Sequence, residues 1–465
     1  MRTLNVIKNP PRRTARPGRG VSCDSVHVLY SLAIVFLAVV LSPWFVYQTI
    51  RYRKYIGSAA QRMGYLPVSF NLDGDDSIWI HAVSVGEALT ARALIADLRD
   101  RYPNLKLFLS TTTLTGQQIA TRLQGVDAVF FLPFDLPPFV NRTLRLVRPR
   151  VFIMMENEIW PNLLRACRRA HVKTILVNGR ISSRSYPRYR LARAFFRRVL
   201  VDVDRFCMQS DESARRIIAI GAESSRVAIT GSLKFDSLES PAAAAGRGEG
   251  RVLRYFRIPS TRPVFIAAST VKGEESSVLA AFATIRRLQT NALLIIAPRK
   301  PERFGDAEAL ARAEGHRVVR RTELAVDAEP RADVVILDTI GELAHLFPVA
   351  TVVFVGGSLI DQGGHNILEP AVHGKPIVFG PHMTNFTEIV ETFLRNQAAV
   401  QVNSPAELSG AIARLLGDPV ERARLGAAAR ALVEANRGAK RRTLDGIAAV
   451  LPPPGSRGVV RPFIR

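Results

Sequence analysis

The sequence predicts an α/β protein with two doubly wound parallel sheets, preceded by one long apolar helix. From Ser77 onward, short apolar runs alternate with amphipathic segments, which is typical of a parallel sheet covered on both faces. The alternation breaks at residues 237–250 and then starts again, which predicts a second sheet. A continuous apolar stretch at Val26–Ile50 lies ahead of the first predicted strand and predicts the helix.

Composition limits the class of protein and the kind of partner. A chain of 465 residues is too long for one ordinary domain, and 47% hydrophobic residues suffice to fill two cores. The net charge of +24 predicts attraction to a polyanion: nucleic acid, an anionic membrane surface or a phosphorylated substrate. The three cysteines have neither zinc-ligand nor disulfide-framework spacing, so a reducing compartment is expected.

Residues 1–54 are expected to form a basic, disordered N-terminus and a membrane anchor. The apolar stretch exceeds the roughly 20 residues that cross a bilayer, and Arg51, Arg53 and Lys54 follow it at once. This basic cluster, with no small-x-small site before it, disfavours a cleaved signal peptide. The anchor either crosses the membrane once or lies in its surface, and a buried helix is the alternative. We expect the bulk of the chain on the cytoplasmic side.

A first Rossmann-like domain is predicted over residues 55–240. Its predicted strands lie in the segments SIWIHAVSV, LKLFLSTTT, AVFFLPF, RVFIMM, KTILVNGR, RFCMQS and RVAITGS. Helical segments separate them, so the strands should be parallel, and their carboxyl ends should meet at one edge of the sheet. Ligands of doubly wound domains bind at that edge.

A second Rossmann-like domain is predicted over residues 261–450, after a linker at 241–260. Its predicted strands lie in PVFIAAST, ALLIIAPR, RVVRR, DVVILDT, TVVFVGG, PIVFG and AAVQV. The proline-rich residues 451–465 are expected to be a disordered basic tail.

The second domain contains a glycine loop between two of its strands. Gly363 and Gly364 precede Asn366 and Glu369, and the spacing predicts that a short helix begins there. Such glycines let backbone amides approach a ligand, and a helix N-terminus favours phosphate, so a nucleotide is the candidate ligand. The carboxylate of Glu369 would accept hydrogen bonds from ribose hydroxyls. The alternative is a tight turn whose glycines only fix the backbone geometry.

Polar residues follow many of the predicted strands in both domains. Each has an ordinary explanation, because Ser and Thr cap helices and Glu87 complements a helix dipole. Their accumulation at one edge of each sheet nevertheless favours a site there. The segments are Ser84–Glu87, Ser110–Thr113, Glu156–Glu158, Asn178–Arg180 and Gly231–Lys234 in the first domain, and Ser269–Thr270, Pro298–Arg299 and Gly341–Glu342 in the second.

The sequence predicts no metal site. Asp202 and Asp204 have the Asp-x-Asp spacing of some metal-dependent transferases, but they precede a strand, at the end away from the expected site, so we interpret them as structural. The histidines are scattered at non-ligand spacings. No Walker A or GxGxxG motif follows a strand, which argues against a P-loop enzyme or a dinucleotide dehydrogenase.

Eight ordered motifs give the chain a specific resemblance. HAVSVGE, STTTLTG, MMENEIWPN, VNGRIS, TGSLKFD, ASTVKGEE, APRKPERF and GGSLIDQGGHNILEP resemble the 3-deoxy-D-manno-octulosonic acid (Kdo) transferases of lipopolysaccharide synthesis. The match covers about residues 78–390 and the N-terminal anchor. The resemblance implies a GT-B type glycosyltransferase with two domains facing across a cleft. It also implies metal-independent transfer of Kdo, without a cofactor, from CMP-Kdo to the lipid A precursor (lipid IVA) at the cytoplasmic face of the inner membrane.

The resemblance also implies roles for individual residues. Glu87, in the SVGE motif, would be the catalytic base of an inverting transfer, and Glu156 and Lys234 would support the transition state. One departure is Lys300, since the family usually has His after the Pro-Arg pair. The implied CMP contacts are Pro298, Arg299, Ile340, Gly341, Glu342, Asn366, Ile367, Leu368 and Glu369.

General chemistry agrees with this interpretation. A carboxylate at a strand end can take the proton of an attacking sugar hydroxyl. Cationic side chains and a helix N-terminus stabilise the charge that develops on departing CMP. Donor, acceptor and an anionic inner-membrane surface are all negatively charged, which suits the charge of +24.

Two other classes of function remain as alternatives. A nucleotide-sugar epimerase uses the same two-domain architecture, but it would be soluble and would have no use for the apolar stretch. A nucleic-acid-binding protein would account for the charge, yet the basic residues are spread along the chain and no recognition motif is evident. We therefore expect no nucleic-acid partner.

Overall fold

A computed structural model describes residues 23–52, 56–183, 185–236 and 249–454. The predicted basic segment at 1–20, residues 241–248 of the predicted linker and most of the C-terminal tail lie outside these ranges. The described residues of Met1–Thr230 and Arg441–Arg465 form one compact unit, unit 1, and those of Gly231–Lys440 form the other, unit 2. The chain therefore crosses between the units twice.

Unit 1 is built on a seven-stranded parallel sheet with the order β3-β2-β1-β4-β5-β6-β7. Its strands are β1 Ser77–His81, β2 Lys106–Thr111, β3 Ala128–Phe131, β4 Pro149–Met155, β5 Lys173–Gly179, β6 Arg205–Met208 and β7 Val227–Ile229. Its helices before the first crossing are α1 Cys23–Tyr52, α2 Ile56–Arg62, α3 Val85–Arg101, α4 Leu114–Ala120, α5 Pro137–Val147, α6 Pro161–Arg169, α7 Tyr186–Leu191, α8 Arg193–Val199 and α9 Asp211–Ile220.

Unit 2 repeats this arrangement, with the strand order β10-β11-β9-β8-β12-β13-β14. Its strands are β8 Val264–Thr270, β9 Leu293–Pro298, β10 Val318–Arg320, β11 Val334–Ile336, β12 Val352–Val355, β13 Ile377–Phe379 and β14 Val400–Gln401. The helices from here on are α10 Glu249–Leu253, α11 Glu274–Leu288, α12 Phe304–Ala313, α13 Leu343–Leu346, α14 Leu368–Val372, α15 Thr387–Arg395, α16 Pro405–Gly417, α17 Pro419–Asn436 and α18 Ala439–Val450.

The cores explain why the strands appear in the sequence as apolar runs. Parallel strands covered by helices are buried on both faces, so their side chains do not alternate between apolar and polar. In unit 1 the cluster around Trp79, Phe108 and Phe152 is buried. In unit 2 one buried cluster contains Ile295 and another contains Phe265 and Phe354. The predicted fold class, with two doubly wound sheets and an N-terminal apolar helix, is confirmed.

Helix α18 returns the chain to unit 1. Arg442 Nε donates to the carbonyl of Thr230 at 2.8 Å, and the hydroxyl of Tyr102 donates to the carbonyl of Leu451. A Cβ added at Gly446 would lie 2.6 Å from the sulfur of Cys207, so the helix packs closely on β6. Unit 2 is thus inserted between β7 and the last described helix of unit 1.

Helix α1 contains the apolar stretch seen in the sequence. Its window Val26–Pro43 has a mean hydropathy of 2.2, and 11% of it is buried in the structure. By length and composition alone, this helix could cross a membrane.

Candidate active site

In unit 1 the candidate residues lie where the strand order reverses. β1 pairs with β2 on one side and with β4 on the other, and all three strands are parallel. Glu87 follows β1 and Glu156 follows β4, so both lie at the carboxyl edge of the sheet next to this switch point. Ligands of doubly wound folds bind at such a point.

Glu87 is held by the start of helix α3. Ser84 is the N-cap, with its hydroxyl 3.5 Å from the backbone nitrogen of Glu87. In return, Glu87 Oε1 accepts from the Ser84 hydroxyl at 3.1 Å, and Oε2 accepts from Val83 N at 2.9 Å. Ser84 thus caps the helix, and the Glu87 carboxylate bonds back to Ser84 and to the residue before it, so the helix-capping role considered in the sequence analysis is present in the structure. Capping also fixes the direction of the carboxylate.

The surroundings of Glu87 favour its protonated form. The pKa of Glu87 is raised from 4.5 to about 7, mainly by burial and then by the negative charges of Glu156 and Glu158. Hydrogen bonds from Val83 and Ser84 act in the opposite direction. A carboxyl group that titrates near neutral pH is suited to accept and release a proton during catalysis. A surface capping residue would have no reason to titrate there.

Glu156 adopts an uncommon backbone conformation. Its φ is +57°, in the left-handed region that non-glycine residues seldom occupy. Its N–H donates to the carbonyl of Val177 at 2.9 Å, which ties the turn after β4 to β5. Asn178 and Ser269, at the ends of β5 and β8, have φ of +53° and +56°. Such backbone strain clusters at functional sites.

A buried histidine and a second carboxylate extend this site. His81 is fully buried at the end of β1, and its Nε2 lies 3.7 Å from Oε2 of Glu158. Its Nδ1 lies 2.9 Å from the hydroxyl of Ser110, and Trp160 Nε1 donates to Glu158 at 3.1 Å. The sequence analysis gave His81 and Glu158 no role of their own, because residues 77 positions apart show no local signal of contact.

Lys234 belongs to unit 2 rather than to the unit that contains Glu87 and Glu156. It lies in the turns after β7, and its ammonium group is 5.5 Å from the ring centroid of Phe386. This cation–π contact orients the side chain. Of the three predicted catalytic residues, the structure therefore brings Glu87 and Glu156 together within one unit.

Some of the predicted nucleotide residues of unit 2, namely Arg299, Asn366, Leu368 and Glu369, form one connected group. Asn366 Oδ1 accepts from Leu368 N at 3.1 Å, and its Nδ2 donates to Glu369 Oε1 at 3.0 Å. Burial raises the pKa of Glu369, while the bond from Asn366 and then the charge of Arg299 lower it. Arg299 is exposed at the end of β9, next to buried Pro298. An exposed guanidinium near an oriented carboxylate can bind phosphate and ribose.

His365 lies in the same group. The pKa of His365 is lowered from 6.5 to about 4, mainly by burial and then by the positive charge of Arg299. The imidazole is therefore neutral at pH 7. The imidazole therefore adds no second positive charge beside Arg299.

The glycine loop has a packing requirement of its own. Gly363 and Gly364 have φ of +80° and +70°, and a Cβ added at them would lie 2.4 Å from Asn385 Nδ2 and 2.2 Å from Met383 Sδ. Both glycines are thus required by neighbouring side chains, whatever binds beside them. Helix α14 has only five residues, so its dipole is short. Support for a nucleotide site therefore comes from Arg299, Asn366 and Glu369 rather than from the glycines.

Glu274, the first residue of helix α11, holds the loop that follows strand β12. Its carboxylate accepts from Gly357 N at 2.7 Å, from Ser358 N and Leu359 N at 2.9 Å each, and from Val271 N at 3.1 Å. The side chain is fully buried, and burial is the main cause of its raised pKa. The sequence analysis missed this role. The one sequence feature that could have indicated this role is a glutamate in the first helical turn after β8.

Glu342 is engaged by an ion pair. Arg321 Nη2 donates to its Oε1 at 2.9 Å, Arg321 Nε lies 2.8 Å from its Oε2, and Thr339 donates to Oε2 at 2.7 Å. Ile340 is exposed, and Gly341 has φ of +90° with open space around its Cα. The backbone of this loop is accordingly more available to a ligand than the carboxylate is.

Asp202 has a structural environment, as interpreted from the sequence. The buried carboxylate lies 2.8 Å from Arg168 Nη1 and 3.5 Å from Arg165 Nη1. Asp204 Oδ2 accepts from Thr174 N at 2.8 Å. Within the described ranges, no group of three or more His, Cys, Asp or Glu side chains is arranged to hold a metal ion.

Comparison with known proteins first defines the class. Residues 258–432 match the family model described as glycosyl transferases group 1. The UDP-GlcNAc 2-epimerase of Neisseria meningitidis, solved bound to UDP-GlcNAc, aligns with a TM-score of 0.55. The alignment covers 80% of this chain and 100% of that chain at 10% identity, which shows the fold alone. The chain therefore has a GT-B-like glycosyltransferase fold.

Closer relatives define the family. Residues 57–237 match the family model described as 3-deoxy-D-manno-octulosonic-acid transferase (kdotransferase). The 3-deoxy-D-manno-octulosonic acid transferase of Haemophilus influenzae is 33% identical over 85% of this chain and 91% of its own length. The 3-deoxy-D-manno-octulosonic acid transferase of Bordetella pertussis is 32% identical over 92% of this chain and 99% of its own length. The chain belongs to the family of 3-deoxy-D-manno-octulosonic acid transferases, enzymes of lipopolysaccharide synthesis.

Proposed function

We propose that the protein transfers Kdo from CMP-Kdo to the lipid A precursor lipid IVA, with inversion at the anomeric carbon. Membership of the family supports Kdo transfer, and the predicted nucleotide residues support CMP as the group that carries it. The observation on which the mechanism rests is the environment of Glu87. It is a capped, half-buried carboxyl group at the switch point, and its pKa is raised to about 7.

In the proposed step, Glu87 acts as a general base. Its carboxylate takes the proton of an acceptor hydroxyl as that oxygen attacks the anomeric carbon of Kdo. The bond between this carbon and the phosphate oxygen breaks, and CMP leaves with the electron pair. Burial and the neighbouring charge of Glu156 strengthen the base, because both disfavour its ionised form.

The departing CMP is proposed to bind unit 2. Arg299 would pair with its phosphate, and Glu369, oriented by Asn366, would accept from the ribose hydroxyls. The remaining proposed contacts are Pro298, Ile340, Gly341, Glu342, Ile367 and Leu368. Lys300 takes the place of the usual family histidine; it is exposed, and its Nζ lies 3.9 Å from Glu302. We therefore assign it no direct role.

Lys234 and Glu156 are proposed to support the transition state. The ammonium of Lys234, positioned against Phe386, would stabilise negative charge that develops during transfer. The strained conformation of Glu156 fixes its carboxylate beside Glu87. The proposed reaction is metal-independent, as the family resemblance implies, and it needs no cofactor.

We further propose that transfer takes place at the cytoplasmic face of the inner membrane. The lipid acceptor, the apolar helix α1 and the net charge of +24 support this location.

Mass spectrometry tests the reaction. Purified protein is incubated with CMP-Kdo, generated in situ, and with lipid IVA. The product should be heavier than lipid IVA by one Kdo residue or by several. Lys234→Ala and Glu156→Ala should lower the turnover far more than the melting temperature. An unchanged mass of lipid IVA, with protein that is folded by its melting curve, would refute the proposed acceptor or donor.

A further inference from the structure

The two ends of the apolar segment meet the same loop of unit 1. Near the start of α1, the side chain of Tyr30 is hydrogen-bonded to that of Asp135. At the end of α2, the carbonyl of Arg62 accepts from the backbone N–H of Phe134 at 2.8 Å. Phe134 and Asp135 are consecutive residues after β3. Tyr30, near the start of α1, and Arg62, at the end of α2, therefore both contact this loop.

The first end is held by a polar stripe on an otherwise apolar helix. His27, Tyr30 and Ser31 have i, i+3, i+4 spacing, which places them on one face. Ser31 Oγ accepts from Asn162 Nδ2 at 3.0 Å, and His27 Nε2 lies 3.8 Å from Asp202 Oδ2. Because the stripe bonds to the start of α6 and to a buried carboxylate, it docks α1 on unit 1.

The second end of the segment, helix α2, is also bonded to unit 1. Arg62 Nη2 donates to the carbonyl of Thr112 at 2.6 Å, and its guanidinium lies 4.7 Å from the ring centroid of Phe131. Gln61 Oε1 accepts from Phe131 N at 3.1 Å. Helix α2 is thus fastened to the edge strand β3.

Between these ends, α1 exposes apolar side chains. Leu29, Leu32, Phe36, Val39 and Val40 all have more than half of their surface exposed, and Phe36 reaches 71%. Contiguous apolar surface of this kind marks a site for a partner or a membrane. A lipid acceptor and a neighbouring cationic surface favour a membrane here.

A single pass through the bilayer is incompatible with this anchoring. Helical rise places Tyr30 and Tyr52 about 33 Å apart, close to the roughly 30 Å of a hydrocarbon core. If α1 crossed the bilayer, its two ends would lie on opposite sides. Unit 1 holds the chain at Tyr30 and again at α2, so it would have to reach both sides.

We propose that α1 lies within one leaflet as a monotopic anchor, with both of its ends on the side of unit 1. The proposal rests on the proposed function only in taking a lipid membrane as the partner. It selects one of the two anchoring modes that the sequence left open.

The surface next to α1 suits anionic headgroups. The ring of Tyr30 lies 5.8 Å from that of Phe195 in α8. Arg193 and Arg197 are exposed on the same short helix, and Leu191, at the end of α7, is 91% exposed. Exposed arginines beside apolar side chains are typical of interfacial segments, and each contributes about 1 kcal/mol near an anionic surface.

Thiol labelling tests the topology with the full-length protein. Cys23 lies at the start of α1, whereas Cys167 and Cys207 are buried and should not react with a bulky maleimide. Gly57→Cys in a Cys23→Ser background marks the other end, because Gly57 is exposed and a Cβ there meets nothing within 4 Å. A membrane-impermeant maleimide is applied to inverted inner-membrane vesicles and to spheroplasts.

Both thiols should react in inverted vesicles and neither in spheroplasts. The protein should stay with the vesicles in 1 M salt (about three times shorter screening length than at 0.1 M). Labelling of Cys23 only in spheroplasts, or from neither face until detergent is added, would overturn the proposal, and so would release by salt alone. Transfer to lipid IVA is measured on the same vesicles, so a failed topology and a failed activity give separate results.

Discussion

Replacing Glu87 by Gln separates catalysis from helix capping. Gln has the same shape and can still accept a hydrogen bond from Val83 or Ser84, but it cannot take a proton. We expect the transfer rate to fall by on the order of a hundredfold or more. Affinity for CMP should stay near that of wild type, because the proposed nucleotide residues belong to unit 2.

The pH dependence follows from the raised pKa of Glu87. The base acts as a carboxylate, so the wild-type rate should rise with pH up to about 7 and level off above it. Below that pKa, the rate should fall by roughly tenfold per pH unit, as the ionised fraction does. The residual rate of Glu87→Gln should lack this titration.

As pH rises, the free energy of unfolding of the wild-type protein should fall while its transfer rate rises. The pKa of Glu87 is about 7 in the folded protein against 4.5 for an unperturbed glutamate, so between these pH values the folded state binds a proton that the unfolded state has released. The free energy of unfolding therefore falls as pH rises through this window, by about 3 kcal/mol. Glu87→Gln removes this loss, so the variant should gain stability relative to wild type at pH 8 compared with pH 5.

Urea unfolding at pH 5 and 8 measures this difference, and product masses over time give the rates. Glu407→Gln is the matched control, since the exposed Glu407 accepts from Asn403 N at 2.9 Å and Ser404 is the N-cap of its helix, α16. It should lose about 0.3–1 kcal/mol and leave the transfer rate unchanged. If Glu87→Gln keeps a rate within a few fold of wild type and only loses stability as the control does, Glu87 is a capping residue and the mechanism is refuted.

Three further changes test unit 2. Glu369→Gln should weaken CMP binding by about 1–3 kcal/mol in calorimetry, because charge-assisted bonds to ribose become neutral ones; unchanged affinity in a folded variant would move the nucleotide site elsewhere. Gly364→Ala should cost about 1–3 kcal/mol in denaturant unfolding, since its Cβ would meet Met383, whereas Gly410→Ala, in open space within α16, should be neutral or stabilising. Glu274→Ala should lower the melting temperature by removing about 3 kcal/mol or more, because buried loop amides lose their acceptor; an unchanged melting curve would contradict this.

The local pattern of apolar and polar residues along the sequence was sufficient to predict the fold. Of the fourteen strands described in the two sheets, thirteen lie within segments that the sequence analysis predicted as strands, and β4 begins one residue earlier, at Pro149. Strands buried on both faces stand out as apolar runs, and the intervening amphipathic helices imply parallel pairing. The positions of Glu87 and Glu156 at strand ends followed from the same reasoning.

Contacts between distant residues could not be predicted in this way. Glu274 binds amides more than eighty positions away, and His81 meets Glu158 although three helices and three strands lie between them in the chain. Periodicity shows which face of an element is apolar, but not which buried polar atoms satisfy one another. The left-handed conformation of Glu156 likewise depends on its bonds to β5 rather than on its own residue type.

The return of α18 to unit 1 has a consequence for how the protein is made. The ribosome produces the strands of the first sheet early, yet the helix that packs on β6 emerges only after all of unit 2. Asp236, at the first crossing, accepts from the backbone N–H groups of Gly438 and Lys440 at the second, so the two passages of the chain are bonded together. Biosynthesis therefore leaves the first unit incomplete until the other has been translated. Expressing it alone would require residues up to Thr230 to be joined directly to Arg441 and its successors.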